Sequence, residues 1–223
     1  MRIVIAGAHG KVGLRLGRLL AARGDTVLGI IRNPAHAEDL REAGVEPVVA
    51  DLEVVSVDEV GLAMDGADAA VFSAGAGPGS GEARKQTVDR GAAMLLADAC
   101  TAAGVDRYLM VSSMGVERVR DGATPRGVGP SFVAYLRAKI AAEDDLMGRE
   151  LAWTILRPGR LTDDPGTGRV RLAPHVPRGD VPRDDVAGVL AALLAEPATA
   201  RLVLELAEGD VPIAEAVAAV RHP

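Results

Sequence analysis

The chain opens on a short apolar run, Arg2-Ile3-Val4-Ile5-Ala6, which breaks into Gly7-Ala8-His9-Gly10-Lys11-Val12-Gly13. An amphipathic helical pattern follows, with Val12, Leu14, Leu16, Leu19 and Leu20 apolar and Lys11, Arg15, Arg18 and Arg23 polar. The alternation continues. Apolar runs at 26–31, 47–50, 69–72, 108–111 and 152–156 predict five more strands, separated by helical patterns over 34–43, 57–64, 85–103 and 131–147. Such alternation implies βαβ units and a parallel sheet. Residues 115–130, punctuated by Gly and Pro, read as a loop. Beyond Arg157 the pattern loosens into a short strand at 170–172, a helix over 186–194, a strand over 201–206 and a helix over 213–220. Asp184 or Asp185 is the expected cap of the first of these helices. The expectation is an α/β fold: a doubly wound parallel sheet with helices on both faces. It forms one domain over residues 1–223, with a small C-terminal lobe drawn from about 158–223.

Composition changes this picture in a few places. Apolar residues make up 48% of the 223, and the five aromatics leave the core to aliphatic side chains. A net charge of −6 argues against nucleic acid as a partner. Lysine occurs only at Lys11, Lys85 and Lys139, which makes each position informative. Cys100, in an alanine-rich helical stretch, reads as a small core residue in a reducing compartment. No run approaches the roughly 18 apolar residues of a membrane span, and the N-terminus reads as a strand rather than a signal peptide. The expected location is the cytoplasm. His9, His36, His175 and His222 show no metal-ligand spacing, so no metal is expected.

Strand, glycine turn and helix together are the context of a dinucleotide-phosphate site. Gly7 permits the tight turn, Gly10 lets backbone amides approach a pyrophosphate, and Gly13 lets the helix lie close on the sheet. The helix N-terminus supplies unpaired N–H groups and the positive end of a dipole. The spacing is GxxGxxG rather than GxGxxG. Nineteen residues after Gly13, the second strand ends at Arg32, where NAD sites keep an acid for the ribose 2′-OH. An arginine suits a 2′-phosphate instead, so NADP(H) is expected over NAD. Asp51 after the third strand is placed for the adenine amino group, and Ser73-Ala74-Gly75 after the fourth lets backbone pass beside a ribose. The more specific signal is Tyr135-Leu136-Arg137-Ala138-Lys139. On a helix, i and i+4 share a face, and an ammonium beside a phenol favours the phenolate. Ser112-Ser113-Met114-Gly115 puts hydroxyls at the end of the fifth strand.

With the glycine turn, these serines and YxxxK together, the chain resembles the short-chain dehydrogenase/reductase family. Within it, the glycine spacing and small size are similar to the atypical branch of NAD(P)H-binding proteins, NmrA-like and biliverdin-reductase-B-like. The likeness extends to Arg157-Pro158-Gly159 and to Pro182-Arg183-Asp184-Asp185-Val186. It implies Tyr135 as general acid/base, Lys139 holding the nicotinamide ribose and tuning Tyr135, and Ser113, with Ser112 as alternative, orienting a carbonyl. It also implies a cofactor lined by Gly7, His9, Gly10, Lys11, Val12, Arg32, Asp51, Leu52, Ala74, Gly75, Lys139, Arg157 and Pro158. Biliverdin-reductase-like members lack the Tyr/Lys pair, which pulls this chain away from flavin or biliverdin reduction. Met114 and Gly115 stand where family dehydratases carry acids, and the stretch after Arg157 is short for a nucleotide-sugar lobe. The expected activity is hydride transfer between NADP(H) and a small carbonyl or alcohol, in a monomer or small homo-oligomer with no membrane partner. The alternative is a non-catalytic NADP(H)-binding redox sensor of NmrA-like type.

Overall fold

In the computed structural model, which describes residues 1–77 and 79–220, the six expected strands form one parallel array; His222 lies outside the described residues. They are β1 (Arg2–Ala6), β2 (Thr26–Ile31), β3 (Glu46–Val49), β4 (Ala69–Phe72), β5 (Arg107–Val111) and β6 (Ala152–Pro158). Their order across the sheet is β3-β2-β1-β4-β5-β6, so the winding reverses between β1 and β4. Open α/β sheets bind ligands outside the strand ends at that reversal.

Alternate residues of each strand go to opposite faces. Ile3 and Ile5 of β1 join one core layer, and Val4 and Ala6 join the other. A strand covered on both faces must be apolar throughout, which is why these runs carry no alternation. The first layer packs under α1 (Lys11–Ala22) and α2 (Ala37–Glu42). The second lies under α3 (Val57–Met64) and a long helix in three parts: α4 (Glu82–Arg84), a π-helical stretch over Lys85–Ala92, and α5 (Ala93–Ala103). Next to these runs α6 (Pro130–Met147), which packs against the π-helical stretch. Cys100 is fully buried in the second layer, where burial pushes its thiol pKa up to about 12.

The chain beyond Pro158 extends the same sheet. After β7 (Arg160–Thr162), β8 (Arg169–Ala173) and β9 (Asp180–Pro182), α7 (Arg183–Leu194) returns to pack beside α1. β10 (Leu202–Glu208) then runs parallel to β6, with β8 antiparallel on its far side and β11 (Val211–Pro212) beyond, followed by α8 (Ile213–Val220). The result is a nine-stranded, mostly parallel sheet, with β7 and β9 paired apart from it. Neither Asp184 nor Asp185 caps α7, whose N-cap position is Pro182. Both acids sit in its first turn, and Asp185 instead accepts from the Thr167 and Gly168 amides at 2.9 and 2.8 Å. The expected loop after Gly115 contains a 3₁₀ helix, Val116–Gly122, whose Val116 and Val119 bury against α6. Among the described residues no helix is long and apolar enough to cross a membrane.

One buried cation holds the late helix to the sheet. Arg107 at the start of β5 donates to the Ala152 and Leu193 carbonyls and to the Thr154 and Thr199 hydroxyls, all within 3.0 Å. Losing it strands those acceptors, so Arg107→Leu is expected to cost about 3 kcal/mol of stability in urea unfolding. A loss below about 1 kcal/mol would show that the cluster contributes little.

Candidate cofactor cleft and active site

The turn out of β1 leaves no room for side chains. Gly7 has φ +79°, and a Cβ there would stand 2.6 Å from Ala74 Cα. A Cβ on Gly13 would meet the Gly7 carbonyl oxygen at 2.4 Å. The glycines therefore press the exit of β4 and the start of α1 against one another. At Gly10, α1 begins with no side-chain cap and no acid in its first turn, so its opening amides keep unpaired donors and an unopposed positive dipole end.

Above this turn lies a cleft of about 310 Å³, at the lower end of the range for small-molecule sites. It is walled by Gly7, His9 and Gly10, by residues 30–33 and 50–53 after β2 and β3, by residues 73–75 after β4, and by Arg84, Val88 and Ala92. Eight of the residues expected around a cofactor therefore come together here: Gly7, His9, Gly10, Arg32, Asp51, Leu52, Ala74 and Gly75. Five do not line it, and one of them, Lys139, reaches its wall only through the Ala74 carbonyl. The Lys11 ammonium turns away to Asp163 at 2.5 Å, and Val12 packs into the core under α1. Arg157 is 4% exposed and its guanidinium is spent on Glu143 and, at 2.7 Å, on Glu117. Pro158, at the end of β6, is buried beside it. Arg157 thus ties β6 to α6 and the 3₁₀ helix rather than reaching a ligand.

The β2 end of the cleft holds a charged cluster that sequence reading missed in part. Arg32 donates to Glu53 at 3.0 Å, Arg84 donates to the same carboxylate oxygen at 2.8 Å, and Thr87 donates to the other at 2.5 Å. The Thr87 hydrogen bond and then the Arg84 guanidinium hold the Glu53 carboxyl below its usual range. His9 and His36 stack with ring centroids 3.7 Å apart, and His9 Nε2 pairs with Asp39 at 2.7 Å. No spacing in the sequence links Glu53, Arg84 and His36; the fold does.

Tyr135 and Lys139 stand behind the β4 exit loop. Lys139 Nζ donates to the carbonyls of Ala74 and Val111, at 3.3 and 3.1 Å, and so touches the wall of the cleft. The Ser113 hydroxyl lies beside the Tyr135 phenol, where it works to lower the phenol pKa, and donates to the Met114 carbonyl at 3.2 Å. Ser112 is 3% exposed, with its amide on Leu156, and turns inward. Ser113 is therefore the serine the fold brings to the phenol. The electrostatics reverse one expectation. Lys139 was expected to lower the phenol pKa; instead burial, and then the Asp89 carboxylate, push it well above the ordinary tyrosine value, with Ser113 working the other way. Lys139 does not offset this, because burial pushes its own ammonium below the ordinary lysine value against the pull of Asp89, 3.5 Å away.

These residues fit a nicotinamide dinucleotide: an uncapped helix end over a turn too tight for side chains, a guanidinium at the β2 end, and a phenol–serine pair beyond the β4 loop. Comparison with known proteins agrees. Residues 7–197 match a protein family described as NAD(P)H-binding. The chain is 35% identical to the uncharacterized sugar epimerase YhfK of Bacillus subtilis, over 97% of this chain and 99% of that one. A solved Bacillus halodurans protein, a candidate NAD-dependent epimerase/dehydratase, is 34% identical and superposes with a TM-score of 0.89 over 99% of this chain and 100% of its own. The anaerobillin reductase ChuY of Escherichia coli O157:H7 is 28% identical, with a TM-score of 0.79 over 95% of this chain and 98% of its own.

Proposed function

The chain belongs to the NAD(P)H-binding family, and from that premise we propose that it is an NADP(H)-dependent reductase of small carbonyl compounds. The observation that carries this reading is the contact of Lys139 Nζ with the Ala74 carbonyl, 3.3 Å. It sets the Tyr135/Lys139 couple against the same loop that walls the dinucleotide cleft.

In this reading the α1 amides hold the pyrophosphate, Arg32 takes the 2′-phosphate, and Asp51 and Leu52 bracket the adenine. The backbone of Ala74 and Gly75 passes beside the ribose. When bound, the nicotinamide supplies the hydride. Ser113 fixes the substrate oxygen by hydrogen bonding and Tyr135 hands it a proton. The phenol, raised by burial, is protonated throughout the physiological range, as an ordinary tyrosine is, and so carries the proton a carbonyl oxygen would take. Similarity to a protein named a reductase and to one named a sugar epimerase supports carbonyl chemistry without choosing the substrate.

The test is oxidation of NADPH, followed at 340 nm, across aldehydes, ketones and keto-sugars. Turnover of at least one class, faster with NADPH than with NADH, is expected. Saturable NADPH binding with no turnover on any of them would overturn the enzyme reading in favour of a redox sensor.

A further inference from the structure

Two arginines beyond the end of β5 play no part in the mechanism above. Gly115 lies two residues after Ser113 and has φ +87°. A Cβ there would stand 3.2 Å from Arg178 Nη2 and 3.5 Å from Arg118 Cδ, so the two side chains meet over one bare backbone position. They come from distant segments: Arg118 from the 3₁₀ helix Val116–Gly122, and Arg178 from the loop between β8 and β9. Both are anchored at the root. Val116 and Val119 are buried against α6, the Met114 amide donates to the Pro158 carbonyl at 2.9 Å, and the Gly179 carbonyl accepts from the Arg160 amide at 3.0 Å. Both residues are exposed, and among the described residues neither side chain makes a hydrogen bond or an ion pair. Three neighbouring arginines are spent on acids: Arg120 on Glu117 and Asp144, Arg157 on Glu143 and Glu117, and Arg160 on Asp180. Glu208 and Asp210 share an open cleft with Arg178 without pairing with it.

Two like charges brought together without an acid repel one another, and an anion held between them removes that cost. We propose that Arg118 and Arg178 are the anion clamp of the substrate site, and that the carbonyl compound reduced here carries a carboxylate or a phosphate. This names the substrate class for the reduction proposed above and rests on that reading. A guanidinium offers parallel N–H donors that match the oxygens of either group. Two residues of chain span at most about 7 Å, so the clamp starts within that distance of Ser113 and the anion sits a few bonds from the carbonyl. Glycine at 115 serves the same end: its bare backbone lets the Arg178 guanidinium lie against the turn, where a larger residue would push it away. A neutral ketone or sugar would leave both guanidinium groups unanswered.

The test is a calorimetric titration of the protein saturated with NADP⁺, which fills the dinucleotide cleft, keeps its phosphate sites from taking the probe and cannot reduce it. The probes come in pairs: pyruvate and 4-oxopentanoate, each against its methyl ester, and dihydroxyacetone phosphate against dihydroxyacetone. The first two pairs read a carboxylate at different reach, and the third reads a phosphate. At least one anion is expected to bind about tenfold or more tightly than its neutral partner. Arg118→Gln/Arg178→Gln should weaken that anion about 10- to 100-fold and leave the neutral partner within about threefold. Equal binding of anion and neutral partner by the wild type in all three pairs, or no saturable binding of any anion, would overturn the proposal whether or not the variant folds. So would a preference that survives in the folded double variant. Turnover is not read, so the two failures separate. A protein that shows this preference but oxidises no NADPH keeps the clamp and loses the reductase reading; one that reduces neutral carbonyls and shows no preference keeps the reductase and loses the clamp.

Discussion

Tyr135→Phe is expected to lower NADPH-dependent carbonyl reduction by about 10²- to 10⁴-fold, the usual worth of a positioned general acid, while NADPH affinity stays within about threefold. The separation follows from the contacts. The phenol oxygen meets Ser113, whereas the ring packs beside the small cluster of Val116, Val119, Val133, Leu136 and Ile140, and a phenylalanine keeps that packing. Lys139 donates its hydrogen bonds to the Ala74 and Val111 carbonyls and has Asp89 as its counter-charge, so the β4 loop stays in place when the hydroxyl goes. Initial rates on the best substrate of the panel, with binding followed by nicotinamide fluorescence, give both numbers. A variant within threefold of wild type would remove Tyr135 from the chemistry and leave Ser113 without its acid.

Arg32→Ala should weaken NADPH binding by about 10- to 100-fold and leave NADH nearly unchanged, because a hydrogen bond to a charged group is worth about 1.5–3 kcal/mol. Arg32 is more than half exposed and shares one Glu53 oxygen with Arg84. A 2′-phosphate arriving at the β2 end therefore meets two guanidinium groups already drawn together. Arg84 should retain part of the preference in the Arg32 variant, and the double variant Arg32→Ala/Arg84→Ala should abolish it. Equal losses for NADPH and NADH would mean that Arg32 supports the cleft without reading the phosphate.

The sheet and its winding were legible because strands covered on both faces must be uniformly apolar, and each run is closed by a glycine, a proline or a polar cluster. The glycine turn was legible for a related reason: Gly7 and Gly13 stand where a Cβ would strike Ala74 or the Gly7 carbonyl. Arg32, Asp51 and Ala74 followed from strand ends alone. What stayed hidden depends on contacts between distant segments. Asp89 lies in a stretch whose period reads as ordinary helix, and only the π geometry and the approach of α6 pair it with Lys139. Arg157 looked available at the end of a strand, but Glu143 comes from a neighbouring helix and takes its guanidinium. Glu53 and Arg84 meet across a cleft that no local pattern describes. The three-residue strands β7 and β9 are too short to leave a periodic signal, and the 3₁₀ helix at Val116–Gly122 lies in a stretch whose turn residues dominate the pattern.

The most direct test of a cleft built for NADP(H) is a fluorescence titration of the wild-type protein with NADPH, followed by competition with 2′,5′-ADP and with 5′-AMP. The arrangement of Arg32 and Arg84 predicts saturable binding that 2′,5′-ADP displaces at least tenfold more effectively than 5′-AMP. Equal displacement by the two nucleotides, or no saturable binding at all, would contradict it.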